Sequence, residues 1–330
     1  MGDDAAPSIE GVAFITNLSD RTLTSIDLAT GSEETLKLLD ISQYNALALS
    51  PSGDTIITAE WSKGISFNDT STMAMIHRMD CGGRVDCVAW SLDGQHIAAG
   101  IYKEVIIINS SIRSIIKKVE SHSGAVNTVT FNRTSDKVVS GSMDNTAIVY
   151  TVPDLIVLMT LSAHSRYVFS SLFLHNDRAV TGSDSTIRVW NAEGNAVSII
   201  EDHSHWIRSL ALSPDGKVLA SGDDDSKLCI YDSDTYKVMV SVYCEGEVRS
   251  LCFVNNSIIV AGVHKSEMIA VDVQTGKVIK KYEGKYVWPS ITTRSRQEPA
   301  IIVRCRDVLP SSNVYFLSFV LKLSLPPIII

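Results

Sequence analysis

Residues 203–232 read HSHWIRSLALSPDGKVLASGDDDSKLCIYD. Three short runs in which apolar and polar residues alternate, IRSLAL, KVLASG and KLCIYD, are separated by the turn sequences SPDG and DDDS. Alternation with a period of two predicts β-strands that bury one face, and turns of this composition predict hairpins between them. A fourth run, YKVMVSVY, follows directly. The stretch therefore predicts a four-stranded antiparallel sheet.

The same unit recurs along the chain. Seven positions each end an apolar run and precede a turn, at intervals of 41, 41, 42, 40, 41 and 40 residues. They are Asp27, Asn68, Asn109, Thr151, Asn191, Asp232 and Asp272. A period of about 40–45 residues with four strands per unit is typical of β-propellers. Because one sheet cannot bury both of its faces alone, neighbouring sheets are expected to pack around a ring.

The units resemble WD repeats over roughly residues 11–285, most clearly in the repeats that end at Thr151, Asn191 and Asp232. The WD dipeptide appears as Tyr150-Thr151, Trp190-Asn191 and Tyr231-Asp232, and the preceding S-G-x-D element as SGSMDN, TGSDS and SGDDDS. The resemblance implies an all-β fold, a β-propeller of four-stranded antiparallel blades. We expect a single domain over residues 1–330.

The number of blades depends on the chain ends. Seven periodic positions favour seven blades, and in the WD-repeat family the two ends commonly share a blade that closes the ring. The first unit shows three strands, VAFITNL, TLTSIDL and ETLKLL, and the segment before them, MGDDAA, is a poor strand former. We therefore expect segment 287–330 to form a degenerate closing blade or an irregular C-terminal tail. Eight blades remain an alternative.

The apolar tail 314–330, VYFLSFVLKLSLPPIII, contains 17 residues and two adjacent prolines. A membrane-spanning helix needs about 20 apolar residues, and the prolines would disrupt a helix. We therefore expect a closing strand or a loosely packed end, and no membrane insertion.

Three repeats contain a histidine, a hydroxyl residue and an aspartate, which are the parts of a hydrolase triad. With the aromatic residue that follows, the sets are His122, Ser140, Asp144 and Tyr150; His164, Thr181, Asp184 and Trp190; and His203, Ser221, Asp225 and Tyr231. A catalytic nucleophile needs exposure and an oxyanion site, and three equivalent copies argue against one tuned centre. The resemblance to WD repeats implies buried structural tetrads instead. We expect no enzymatic activity.

Binding is then expected on surface loops. In the WD-repeat family, the residue after the first apolar residue of each inner strand lies at the channel mouth, on the face where the inner strands begin (the top face), and often contacts partners. The matching positions include Asp86, Asn127, Phe169, Arg208 and Arg249.

Three residues near this ring are of the types that dominate interface hot spots, arginine, tyrosine and tryptophan. They are Arg166, Tyr167 and Trp206. The segment HSRYVFSSLF also resembles the strand that presents a channel-mouth aromatic, here Phe169, in histone-methyltransferase scaffold propellers. We therefore predict a partner-binding top face centred on Phe169, Arg208 and Trp206.

Composition limits the function further. The net charge is −8 and the longest basic runs are pairs, which argues against direct contact with nucleic acid. There is no C-x-x-C pair, P-loop or G-x-G-x-x-G motif, so no metal or cofactor is predicted. We predict a non-enzymatic cytoplasmic scaffold that binds peptides or subunits of a multiprotein complex. A nuclear location and an RNA- or ribosome-assembly-associated WD-repeat protein stay open as alternatives.

Overall fold

The fold is all-β in the residues that the structure describes. The structure is a computed structural model, and it describes residues 9, 12–17, 22–37, 44–60, 64–72, 74–264, 266–286, 289–291 and 315–317. Every regular element in these ranges is a β-strand. None of them is a helix that is long and apolar enough to span a bilayer.

Six sheets each contain four antiparallel strands in sequence order, and we number them blades 1 to 6. Blade 1 contains β4 (Tyr44–Leu49), β5 (Thr55–Glu60), β6 (Gly64–Asp69) and β7 (Met75–Met79). Blade 2 contains β8 (Val85–Trp90), β9 (His96–Ile101), β10 (Glu104–Asn109) and β11 (Ser114–Glu120). Blade 3 contains β12 (Val126–Phe131), β13 (Lys137–Ser142), β14 (Ala147–Thr151) and β15 (Val157–Leu161).

Blade 4 contains β16 (Ser170–Phe173), β17 (Ala179–Gly182), β18 (Ile187–Trp190) and β19 (Ala196–Ile200). Blade 5 contains β20 (Ile207–Leu212), β21 (Val218–Asp223), β22 (Lys227–Asp232) and β23 (Val238–Tyr243). Blade 6 contains β24 (Val248–Asn255), β25 (Ile258–Val263), β26 (Ser266–Asp272) and β27 (Val278–Tyr286). The inner strands of successive blades lie next to each other, as a propeller requires.

In blades 5 and 6 the periodic aspartate closes the turn between the third and fourth strands. The carboxylate of Asp232 accepts hydrogen bonds of 2.7 Å from both the main-chain N–H and the hydroxyl of Thr235. Asp272 and Thr275 repeat this turn in blade 6. These two repeats thus carry their own stop signal, because the aspartate side chain replaces the strand ladder as the hydrogen-bond partner.

A glycine in the second strand lets the next blade pack closely. A Cβ on Gly141 would lie 2.5 Å from the side chain of Val168, and one on Gly222 would lie 2.3 Å from Val248. The same contact recurs between Gly100 and Val126 and between Gly182 and Ile207. The glycine of the S-G-x-D element is therefore needed for packing between blades, since any side chain would push the neighbouring inner strand away.

The prediction of seven blades, with eight as the alternative, is wrong: the described residues form six four-stranded blades. The first unit forms a three-stranded sheet of β1 (Val12–Asn17), β2 (Thr22–Asp27) and β3 (Glu33–Lys37). This N-terminal sheet packs against blade 6, where Ile26 and Leu28 join a buried cluster with Cys252 and Val260. The predicted strands are present, but among the described residues no fourth strand is hydrogen-bonded to them.

The described part of the C-terminal segment lies beside the N-terminal sheet and blade 6. Its strands, β28 (Pro289–Ile291) and β29 (Tyr315–Leu317), form a two-stranded parallel sheet. β28 lies beside β24 and β29 beside β1. The rest of segment 287–330, including most of the apolar tail, lies outside the described residues, so its role and the single-domain assignment stay predictions.

Candidate functional site

Blade 3 links the four residues of its predicted set. His122 Nδ1 lies 2.9 Å from Asp144 Oδ2, and His122 Nε2 lies 2.7 Å from Ser140 Oγ. Ser140 continues the chain to the hydroxyl of Tyr150 at 3.3 Å. Burial raises the pKa of Asp144, but hydrogen bonds from His122 and Thr146 outweigh it and hold that pKa well below its usual range.

Blade 4 links only three of its four residues. Trp190 Nε1 donates to Thr181 Oγ1 at 2.8 Å, and the same oxygen is hydrogen-bonded to His164 Nε2 at 2.6 Å. Asp184, predicted to pair with His164, instead accepts a hydrogen bond from Ser165 at 2.9 Å. No described residue is hydrogen-bonded to the buried Nδ1 of His164. Burial and the charge of Arg188 lower the pKa of His164 to about 3.

Blade 5 uses a different aspartate from the predicted one. His203 Nδ1 lies 2.6 Å from Asp223, not Asp225, and His203 Nε2 lies 2.5 Å from Ser221. Ser221 donates to the Tyr231 hydroxyl at 3.3 Å. Asp225 accepts a hydrogen bond from Ser204 in an exposed turn. The assignment to Asp225 fails because Asp223 ends β21 inside the sheet, whereas Asp225 lies beyond it.

The geometry of the networks makes them unsuitable for nucleophilic catalysis. The hydroxyl residues Ser140, Thr181 and Ser221 have no exposed surface. A substrate carbonyl therefore has no path to them, although the His–Ser spacing resembles that of a hydrolase. Each network ties the start of a blade to its second and third strands, which is a structural role.

The structure places Phe169 beneath other aromatic side chains. Its exposed fraction is 2%. The ring centres of Trp206 and Tyr167 lie 5.4 and 6.1 Å from that of Phe169. The geometry therefore does not support the predicted direct contact of Phe169 with a partner, since residues of two top-face loops cover the ring.

Arg208 forms the base of the same cluster. Its guanidinium carbon lies 4.3 Å from the ring centre of Phe169 and 4.7 Å from that of Trp206. Its Nε donates to both carboxylate oxygens of Asp224 at 2.8 and 2.9 Å. The side chain is buried, and the carboxylate compensates its charge. Arg208 therefore fixes the rings and is not itself presented to a partner.

A chain of ion pairs extends from this base into blade 6. Arg249 lies 3.3 Å from Asp224 and also pairs with Glu247. His264 Nδ1 lies 2.7 Å from the same Glu247. Burial raises the pKa of Glu247, but the neighbouring Arg249 and His264 lower it by more. The predicted contact residue Arg249 is thus a buried link between blades 5 and 6.

Two other predicted contact residues are also buried. Asn127 donates from Nδ2 to the main-chain oxygen of Val168 at 2.9 Å, which joins blades 3 and 4. Asp86 accepts a hydrogen bond from Arg84 Nε at 2.7 Å. Direct contact of these side chains with a partner is therefore not supported by the geometry.

Four residues on the two loops that lead into blades 4 and 5 are exposed, and we call them the top-face cluster. They are Arg166, Tyr167, His205 and Trp206. Trp206 and Tyr167 are 37% and 43% exposed while resting on Phe169. His205 is 54% exposed on its side chain, and its ring centre lies 5.7 Å from that of Trp206.

Comparison with protein families agrees with this architecture. A family described as WD domain, G-beta repeat matches residues 113–151, 156–191 and 194–232. The chain contains WD repeats. Each matched segment of this WD-repeat protein begins with the outer strand of one blade and ends with the third strand of the next. A sequence repeat therefore spans two blades and ties them together.

Similar proteins include a U3 small nucleolar RNA-associated protein 15 homolog from Xenopus tropicalis, which is 29% identical over 280 residues. That match covers 70% of this chain and 53% of the relative. The homolog from Xenopus laevis is 30% identical over 139 residues, or 41% of this chain and 27% of the relative. Pre-mRNA-processing factor 19 homolog 2 from Arabidopsis thaliana is 27% identical over 45% of this chain and 30% of the relative. The WD-repeat chain thus spans about half or less of the length of these relatives.

Proposed function

We propose that this WD-repeat protein is a non-enzymatic scaffold that holds another protein, or a subunit of an RNA-processing complex, against its top-face cluster. One observation carries the proposal: Trp206 and Tyr167 are exposed on a rigid base of Phe169 and Arg208. Aromatic residues fixed before binding lose little entropy in a complex, which makes them effective anchors.

The setting in an RNA-processing complex is supported by the relatives. Their names refer to a small nucleolar RNA and to pre-mRNA processing. These names favour a nuclear location for this protein and do not support the cytoplasmic location expected from composition. The burial of the three network hydroxyls supports a non-enzymatic role.

The test is affinity purification of the tagged full chain with mass spectrometry, with and without ribonuclease. The variant Tyr167→Ala/Trp206→Ala is compared with Tyr243→Ala, which removes a 74% exposed aromatic residue from the outer strand β23. We expect the double variant to lose protein partners that survive ribonuclease, and the control to keep them. Thermal unfolding of all three proteins checks that the fold is intact. Partners retained by a folded double variant would refute the proposed surface.

A further inference from the structure

The loops around the top-face cluster are acidic. They comprise residues 162–168, 183–186, 201–206, 224–227 and 244–247. These loops contain seven carboxylates, whereas they contain one arginine, Arg166, and one lysine, Lys227. The carboxylates belong to Asp184, Glu201, Asp202, Asp224, Asp225, Glu245 and Glu247. A surface with this excess of negative charge attracts cationic groups and repels anionic ones.

Some of these charges are already compensated. Asp224 and Glu247 pair with the buried arginines Arg208 and Arg249, and Glu245 lies 2.9 Å from the ammonium of Lys281. These pairs leave Asp184, Glu201, Asp202 and Asp225 to give the surface its charge.

The four remaining carboxylates lie at the surface. Glu201, Asp202 and Asp225 are exposed, and Asp184 is partly exposed. Asp225 and Asp184 accept hydrogen bonds from the hydroxyls of Ser204 and Ser165, which are neutral and do not cancel the charge. The ammonium of Lys227 donates to the main-chain oxygen of Asp202.

The aromatic rings inside this acidic border already hold one cation. The guanidinium of Arg208 contacts the rings of Phe169 and Trp206 from below. The exposed parts of Trp206 and Tyr167 offer ring surface to a second cation from solvent. Asp184 and Asp225 are hydrogen-bonded to Ser165 and Ser204 of the same two loops. Aromatic rings bordered by carboxylates are the combination that binds lysine and arginine side chains.

We propose that the top-face cluster binds a lysine- or arginine-rich segment of a partner protein, with one cationic side chain against Trp206 and Tyr167. This inference rests on the proposed function and names the chemistry of its partner. Single-stranded RNA would also stack on exposed rings. The carboxylates of these loops would repel its phosphates, however, and within the top-face cluster Arg166 is the exposed arginine that could attract them. The charge therefore favours a basic protein segment over RNA.

The experiment measures fluorescence anisotropy of a short labelled peptide of alternating arginine and serine, mixed with the full chain at low and physiological salt. The same peptide with glutamate in place of arginine, and a labelled oligo-uridine, serve as competing probes. The variants are Trp206→Ala and the charge reversal Asp202→Lys/Asp225→Lys. The matched control is Asp154→Lys/Asp234→Lys, which makes the same charge change in exposed turns between third and fourth strands, at the other end of the blades.

We expect the arginine peptide to bind wild type and the control in preference to the other probes. Each top-face variant should weaken that binding by about tenfold, which corresponds to ~1.4 kcal/mol. Equal weakening by both charge reversals would overturn the inference, because it would show a response to net charge alone. Preferential binding of oligo-uridine, or no peptide binding, would overturn it as well. If the arginine peptide does not bind while Tyr167→Ala/Trp206→Ala still loses protein partners, the inference about a basic partner segment is wrong and the proposed binding surface stands. If that double variant keeps its protein partners, the proposed function is wrong.

Discussion

Replacing Asp223 should destabilise this protein far more than replacing Asp225, although spacing in the sequence points to Asp225. The Asp223 side chain is buried and contacts three donors: His203 Nδ1 at 2.6 Å, the Asp225 N–H at 2.9 Å and the Lys227 N–H at 2.8 Å. In Asp223→Ala the two main-chain donors lie at a turn that water can reach, but the His203 side chain has no exposed surface.

The magnitude follows from these contacts. A buried donor left unpaired costs about 1–3 kcal/mol, and weakening the turn adds about 1 kcal/mol. A loss of about 3 kcal/mol is therefore expected for Asp223→Ala. With an unfolding entropy of roughly 2.1 cal/mol/K per residue, a chain of 330 residues loses about 4 °C in Tm. Asp225→Ala removes an exposed acceptor and should change stability by less than about 0.5 kcal/mol.

The pH dependence of stability provides a second measure of the same contact. Burial lowers the pKa of His203, but the hydrogen bonds and charges of Asp223 and Cys229 together raise it by more, to about 9. The unfolded chain has the ordinary value of 6.5, so this contribution is complete below pH 6.5 and is lost as the pH rises through about 9. Asp223→Asn keeps the shape of the side chain and should reduce this alkaline loss.

The assay is thermal and urea unfolding of wild type, Asp223→Ala, Asp223→Asn and Asp225→Ala between pH 6 and pH 9.5, conditions chosen to bracket about 6.5 and about 9. Asp225→Ala acts as the matched control because it removes the same group two residues away. A loss of stability in Asp225→Ala that equals or exceeds that of Asp223→Ala would refute the assignment.

Two further predictions concern blades 4 and 5. The pKa of His164 is lowered to about 3 by burial and Arg188, so the unfolded chain takes up a proton below pH 6.5 while the folded protein does so only near pH 3, and stability falls as the pH drops through this range. His164→Gln should remove about 2–3 kcal/mol of the loss between pH 7 and pH 4.5, and an acid limb equal to that of wild type in urea unfolding would contradict this. Gly222→Ala should lower the free energy of unfolding by about 1–3 kcal/mol, because its Cβ would lie 2.3 Å from the Val248 side chain, and adding Val248→Ala should recover part of that loss. Strictly additive losses of the two substitutions in thermal unfolding would show that the two side chains do not clash.

The candidate site was harder to predict from the sequence than the hydrogen-bond networks of blades 3 to 5, because its surface combines loops from neighbouring blades. Three adjacent aspartates have three different partners: Asp223 pairs with His203, Asp224 with Arg208, and Asp225 with Ser204. Composition cannot distinguish three adjacent carboxylates, since their partners lie 16 to 21 residues away. Phe169 matched a channel-mouth position, but Trp206 of the loop leading into the next blade covers it.

The sequence by itself determined the repeat, the strands and the turns of this protein, because apolar–polar alternation and turn residues act over a few residues. In blade 3 the spacing also predicts the observed partners of His122, but the same spacing in blade 5 predicts Asp225 where Asp223 pairs with His203. Only the tertiary structure decided the number of blades, which depends on how β1 and β2 meet β28 and β29, more than 250 residues away. It also decided which top-face residues reach solvent, because burial there results from side chains of neighbouring blades stacking on one another and not from any local pattern.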